Sequence, residues 1–125
     1  MIDALFNSAG YLGAKRMLDA TAARHEALAT NIANAETPHY QRVDLAPSFR
    51  EELQGALASH DPARINSLHA RVAVDAQALS SSRDGNTVNL EHELVELGQN
   101  TLTNAVETQI VSASLAKLRL AITGH

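Results

Sequence analysis

The last third of the chain carries an apolar pattern that leaves few choices of fold. Over residues 88–122, one stripe of positions is spaced alternately by four and three residues. This is the seven-residue repeat of a helix that packs lengthwise against another helix. The stripe runs through Leu90, Leu94, Leu97, Thr101, Asn104, Thr108, Val111, Leu115, Leu118 and Ile122. A helix over this segment would be about 50 Å long, which predicts an elongated helical fold.

The same segment carries a second apolar stripe. Its members are Val95, Leu102, Val106, Ile110, Ala113 and Leu120. A helix that is apolar on two sides must bury both of them. One explanation is a compact bundle in which the helix is internal, and the other is that further subunits cover the second stripe. Polar positions inside the first stripe, such as Asn104, can specify one register at a cost in stability.

A second long helix is predicted near the N-terminus, over residues 3–35. Its stripe at spacings of three and four consists of Tyr11, Ala14, Leu18, Ala22, His25, Leu28 and Ile32. We expect this helix to stop near Asn34, because Pro38 pushes Thr37 out of the α region and because asparagine suits a helix end.

The middle of the chain, residues 36–87, is predicted to be extended and partly irregular. Ser48 can cap a short helix, with Glu51 completing a capping box. Residues 71–74 read as a short strand, and Asp84-Gly85 is able to close a tight hairpin. The predicted fold class is therefore mostly α, a single domain over residues 1–125. Its long N- and C-terminal helices pack as a coiled-coil-like pair beside a short extended segment.

Composition excludes several classes of function. The net charge is −4, and Lys15-Arg16 is the only adjacent basic pair, so the basic patch of a nucleic-acid binder is missing. Aromatic residues make up 3% of the chain, which argues against a deep globular core. The sequence contains no run of 18 apolar residues, the length that would suggest a membrane-spanning helix. We also expect no cleaved signal peptide.

The polar residues assemble no recognisable catalytic or metal site. His92 and Glu96 lie at i, i+4 on the predicted C-terminal helix, a spacing that can hold a divalent metal, but the sequence offers no third ligand. An acidic first helical turn, favourable at a helix N-terminus, explains the same residues. Since no nucleophile, base and oxyanion site come together, we expect no enzyme activity, no cofactor and no metal.

The run Asn31-Ile32-Ala33-Asn34-Ala35-Glu36-Thr37-Pro38-His39-Tyr40 gives the most specific indication of function. It resembles the pattern Asn-x-Ala-Asn-x-x-Thr-Pro-Gly-Tyr found near the N-terminus of the bacterial flagellar rod and hook family. Residues 40–44 continue the resemblance, and residues 84–97 are similar to the proximal rod proteins. The short chain favours the FlgB-type member over hook or distal-rod relatives. His39 replaces the family's usual glycine.

The resemblance implies a structural subunit of the proximal rod in the flagellar basal body. In that family, terminal helices of many subunits pack into a helical tube, and subunits pass unfolded through the flagellar type III export apparatus. The implied partners are other rod and basal-body proteins and copies of this chain, in the periplasmic rod, with no cleaved signal peptide. The alternative is a cytoplasmic helical adaptor or secretion chaperone.

The predicted interaction residues belong to the helix exit and to the C-terminal helix. They are Asn31, Asn34, Thr37, Pro38, Tyr40, Leu90, Leu94, Leu97, Leu102, Val106, Ile110, Val111, Leu115, Leu118 and Ile122.

Overall fold

The computed structural model describes residues 8–80 and 82–124. The described elements, in chain order, are α1 (Ala9–Ala33), β1 (Val43–Leu45), α2 (Ser48–Ser59), α3 (Pro62–Asn66), β2 (Val72–Val74) and α4 (Leu90–Thr123). The predicted fold class is confirmed: the molecule is mostly helical, with two long terminal helices and a small antiparallel sheet. The part of the predicted first helix over residues 3–7 lies outside the described residues.

Helix α1 ends where the sequence predicts. At its start, the Ser8 Oγ accepts the Tyr11 N–H at 3.3 Å. At its end, the Asn34 N–H reaches the carbonyl oxygens of Thr30 and Asn31, both at 3.1 Å. The chain then turns before Pro38 and leaves the helix, as expected for the residues that precede a proline.

Helix α4 begins at Leu90, close to the predicted start. The Asn89 side-chain oxygen accepts the His92 N–H at 3.1 Å and caps the first turn. Gly124 follows the helix in the left-handed region, with φ of 75°, a common way to end a helix. Helix α4 runs antiparallel to α1, because Asn31 meets Glu93 while Thr21 meets Asn100, further along α4.

The small sheet and the short helices cover one side of α1. Strands β1 and β2 pair antiparallel, with Asp44 opposite Ala73. The apolar core is modest and lies in two clusters of buried side chains. One contains Leu12, Ala56 and Ile65, and the other contains Ala20, Phe49 and Leu53.

Gly13 lets α2 approach α1 closely. A Cβ atom placed on Gly13 would come within 2.7 Å of a methyl carbon of Leu57. The missing side chain therefore makes room for Leu57 beside α1, and this contact helps to position α2.

Two local predictions for the middle of the chain are wrong. Ser48 is the first residue of α2 rather than its cap, and Pro47 at the cap position provides no side-chain hydrogen bond. Asp84-Gly85 closes no hairpin between paired strands; instead, the Asp84 carbonyl oxygen accepts the His39 N–H at 2.9 Å. The hydrogen bond at this turn is thus made with a segment that is distant in sequence.

Most of the large apolar side chains that remain exposed lie on α4. They are Leu90, Leu94, Val95, Leu102, Val106, Ile110, Leu115, Leu120 and Ile122. Within residues 8–80 and 82–124, no helix combines the length and the hydropathy needed to cross a membrane.

Candidate assembly interface and its polar clasp

The face of α4 that packs on α1 is largely polar, which corrects the predicted seam. Leu97, Asn104, Val111 and Leu118 are half-buried or buried, as expected for a stripe that faces α1. The alternate members of that stripe are exposed: Leu90, Leu94, Thr101, Thr108, Leu115 and Ile122. Their places on the inner face are taken by residues that include Glu93 and Asn100, 0% and 4% exposed. Apolar periodicity missed them because buried polar groups carry no apolar signal.

The α1 stripe needs a similar correction. Ala14 and Leu28 are buried, but Ala22 and His25 are exposed. The buried positions include Ala20, Thr21, Ala27 and Asn31. The buried surface of α1 therefore differs from the predicted stripe, and it includes the polar residues Thr21 and Asn31.

Asn31 is fully buried and uses every hydrogen-bonding group of its side-chain amide. Its Nδ2 donates to the Val43 carbonyl oxygen at 2.7 Å and to Glu93 Oε2 at 3.0 Å. Its Oδ1 accepts the Tyr40 hydroxyl and the Val43 N–H, both at 3.0 Å. Two donors and two acceptors are the full capacity of an amide. This single side chain thus joins α1, the helix exit, β1 and α4.

Arg42 and Glu93 form a buried ion pair beside Asn31. The Arg42 Nε donates to Glu93 Oε1, while its other nitrogens reach Asp75 at 2.9 Å and Asp44 at 2.8 Å. Burial by itself would lower the pKa of Arg42, but the hydrogen bonds that it donates to Glu93 and Asp44 outweigh this effect, and the pKa is raised. A buried charge is tolerable only with such partners.

Arg24 extends this network along α1. Its guanidinium donates to both oxygens of Asp44, at 2.8 and 3.2 Å, and to Glu96 on α4. Burial would raise the pKa of the Asp44 carboxyl, but hydrogen bonds from Arg24, the Leu45 N–H and Arg42 hold it below its ordinary value. Asp44 therefore stays charged and bridges the two arginines.

These residues form one unit, which we call the polar clasp. It consists of Arg24, Asn31, Arg42, Asp44, Asp75, Glu93 and Glu96. Further along the pair, Asn100 donates to the Thr21 carbonyl oxygen at 2.8 Å, and Asn104 donates to the Thr21 hydroxyl at 2.9 Å. Among the described residues, positions 105–122 of α4 form no hydrogen bond or ion pair with α1.

Asn86 locks the end of α1 from the loop that precedes α4. Its Nδ2 lies 2.7–3.2 Å from the carbonyl oxygens of Asn34, Ala35 and Thr37. These carbonyls lie in the turn just beyond Ala33, where Asn34 and Thr37 also accept the N–H groups of Thr37 and Tyr40. Sequence reasoning missed Asn86 because it treated Asp84-Gly85 as a local hairpin turn, although the resemblance extends over this segment.

The predicted helix-exit residues divide into structural and exposed ones. Asn34 and Thr37 hydrogen-bond each other at 3.1 Å, while Pro38 is exposed. The Tyr40 hydroxyl reaches Asn31, and burial together with the charge of Glu93 raises the pKa of Tyr40. His39 adopts φ of 60°, so the turn keeps the left-handed conformation that favours glycine.

The second stripe of α4 is exposed along its length. Leu102 is 70% exposed and Val106 is 59% exposed. Leu102 lies about 160° around the helix axis from Asn100, which faces α1. The explanation in which α4 is buried on all sides is therefore wrong, and this outward face is the candidate assembly interface.

Of the His92 and Glu96 pair, Glu96 belongs to the ion-pair network. Their side chains are 3.8 Å apart, and Glu96 is engaged by Arg24. Among the described residues, no group of three or more potential ligands is placed to hold a metal ion.

Comparison with known proteins gives the family. No protein-family model matches the chain. A flagellar basal body rod protein FlgB from Cereibacter sphaeroides is 33% identical over 110 residues, covering 82% of this chain and 84% of the relative. The FlgB of Aquifex aeolicus is 30% identical, covering 89% and 90%, and that of Salmonella typhimurium is 31% identical, covering 78% and 81%. The chain thus belongs to the FlgB family of flagellar basal body rod proteins.

Proposed function

We propose that this chain is a non-enzymatic structural subunit of the proximal rod, which assembles with other axial proteins and with copies of itself through its terminal helices. The observation that carries this proposal is the outward stripe of α4. The exposed Leu, Val and Ile side chains form a row along the helix. Contiguous exposed apolar surface of this kind marks an interaction site. Assembly would cover that row.

The polar inner face supports the same function. A pair of helices joined by hydrogen-bonded amides and ion pairs gains less stability from packing than an apolar pair, but its register is fixed by specific partners. A rod subunit must present its outward stripe in one orientation, and the polar clasp holds α4 in that orientation relative to α1.

Membership of the family supports a proposal for location and export. We propose that the subunit resides in the periplasmic rod of the basal body and reaches it through the flagellar type III export apparatus, with no cleaved signal peptide. Mass spectrometry of the assembled protein should then find an uncut N-terminus, apart from removal of Met1.

Val106→Glu tests the assembly role. Val106 is exposed on the second stripe, so a glutamate there should change the free energy of unfolding by about 0.5 kcal/mol or less. The same charge should block assembly, because an interface cannot bury it unpaired. The measurements are urea denaturation of the purified chain, a secretion assay and recovery of the variant in isolated basal bodies.

Two control variants separate assembly from folding. Ala105→Glu adds the same charge on the adjacent residue, which points about 100° away from Val106, and it should assemble. Leu97→Glu places the charge on the half-buried inner side and should destabilise the chain itself. The proposal is falsified if Val106→Glu assembles as well as Ala105→Glu.

A further inference from the structure

An open groove lies between α2 and α4, with α1 as its floor. Both helices pack against α1, and the space left between them has a volume of about 860 Å³. Ala20 and Thr21 line the floor, Phe49 and Leu53 line the α2 wall, and Thr103 lines the α4 wall. The groove is thus largely apolar on one side and polar on the other.

The groove has room for side chains from one face of a helix. Its volume of about 860 Å³ is open to solvent along one side, so side chains of a helix lying over it can enter. The stripe residues Leu102, Val106 and Ile110 span nine residues, or about 12 Å along α4. They offer three neighbouring apolar side chains on one face of the helix.

Among the charged residues that line the groove, Arg24 pairs with Asp44 and Glu96, which leaves the positive charge of Arg50. Arg50 lines the groove, and within the described residues it forms no ion pair. Residues 90–116 of α4 contain four glutamates and neither lysine nor arginine. Glu93 and Glu96 are engaged by the clasp arginines, which leaves Glu91 and Glu107.

Glu107 is the better placed of these two acids. It follows Val106 directly and sits on the flank of the stripe, where a helix seated in a groove meets the wall. It is half-buried with no ion pair among the described side chains, and burial raises its pKa. A cation supplied by a neighbour would relieve that cost.

We propose that the groove of one copy receives α4 of a second copy, with Leu102, Val106 and Ile110 entering between α1 and α2 and Glu107 pairing with Arg50. The inference rests on the proposed rod function and adds which surface covers the stripe. The groove and the stripe are different surfaces of the chain. When two copies bind, one keeps its stripe free and the other keeps its groove free. Such a contact repeats as a ring or an open helix rather than closing as a two-fold dimer.

Cysteine cross-linking tests the contact directly, since the chain contains no cysteine. Two differently tagged full-length copies, one carrying Gln54→Cys in the groove and one carrying Val106→Cys, are co-expressed in cells that lack the native protein. Isolated basal bodies are then oxidised. We expect a cross-linked product that carries both tags, and none when Glu52→Cys, exposed on α2 outside the groove lining, replaces Gln54→Cys.

The outcomes distinguish the two proposals. Suppose that both copies are recovered in basal bodies, but the Val106→Cys copy links only to another Val106→Cys copy, to a different protein or to nothing. The groove contact is then overturned and the rod function stands. If the wild-type chain and both variants are absent from basal bodies, the rod function falls together with the inference.

A charge exchange tests the ion pair. Arg50→Glu should reduce incorporation into basal bodies by about tenfold, since like charges would face each other. Adding Glu107→Arg in the same chain should restore most of the loss, whereas adding Glu91→Arg should not. A double variant with Glu107→Arg that incorporates no better than Arg50→Glu alone contradicts the pairing.

Discussion

At the scale of single residues, two buried asparagines hold the fold. Asn31 joins α1 to β1 and α4, and Asn86 closes the end of α1. An amide suits both positions because it donates and accepts at once. A buried group of this kind stabilises chiefly because removing it leaves several partners unsatisfied.

Asn31→Leu should therefore be strongly destabilising although it keeps the size of the side chain. Leucine leaves the Tyr40 hydroxyl, both backbone polar groups of Val43 and one oxygen of Glu93 without their hydrogen-bond partner. We therefore expect the free energy of unfolding to fall by about 3 kcal/mol or more. Urea denaturation measures this loss. Asn34→Ala, at the less buried helix end, should cost roughly 1 kcal/mol or less, and equal losses would show that Asn31 is no special junction.

His39→Gly should stabilise the chain. His39 holds φ of 60°, and a non-glycine residue in the left-handed region costs about 1–2 kcal/mol. Glycine removes that strain but gains freedom in the unfolded state, so the net gain should be about 0.5–1 kcal/mol in chemical denaturation. His60→Gly, at φ of 53°, should behave alike, whereas Gln41→Gly, outside that region, should destabilise.

At the scale of elements, the sequence predicted what depends on periodicity and on proline. Both long helices, the stop near Asn34 and the short strand at residues 72–74 follow from local rules. The orientation of α4 does not follow from local rules. Glu93 and Asn100 face inward because Arg42 and Thr21, from distant parts of the chain, bind them there. An apolar pattern predicts a helix face that is buried by the hydrophobic effect. On α4, hydrogen bonds and ion pairs determine which face packs on α1.

Helix α4 should show two levels of local stability. The polar clasp and Asn100 hold its first half, while most of the described residues beyond Asn104 are exposed. Hydrogen exchange of the dilute monomer should thus be faster over residues 105–123 than over residues 90–104. Uniform protection along α4 would contradict this division.

A clasp variant supplies the control for that measurement. Arg42→Met removes the partner of the buried Glu93, and leaving a buried charge unpaired is strongly destabilising. Exchange over residues 90–104 should then rise toward that of residues 105–123. Protection unchanged by Arg42→Met would mean that apolar packing, and not the clasp, holds the first half.

At the scale of the whole molecule, the clasp makes folding sensitive to acid. It places two arginines, one of them on α1, among four carboxylates. These carboxylates come from β1, from the segment after β2 and from α4. The apolar clusters are small, so loss of these ion pairs should release the terminal helices together. Such dependence on charged junctions agrees with the proposal made above that the subunit is exported unfolded and covers its apolar stripe on assembly.

Asp44 makes the acid response measurable. Its pKa lies below the ordinary value of 3.8 in the folded chain, so it contributes stability above that ordinary value and loses the contribution as the pH falls through the lowered pKa. The free energy of unfolding should therefore fall as the pH drops through and below the ordinary pKa of an aspartate. Asp44→Asn should cost about 1–2 kcal/mol at pH 7 and flatten this decline. Asp19→Asn, at an exposed carboxylate that pairs with Arg16, should leave the wild-type pH profile. If Asp44→Asn also keeps the full decline, the acid response lies in other carboxylates, and Asp44 is not the group that links the two arginines.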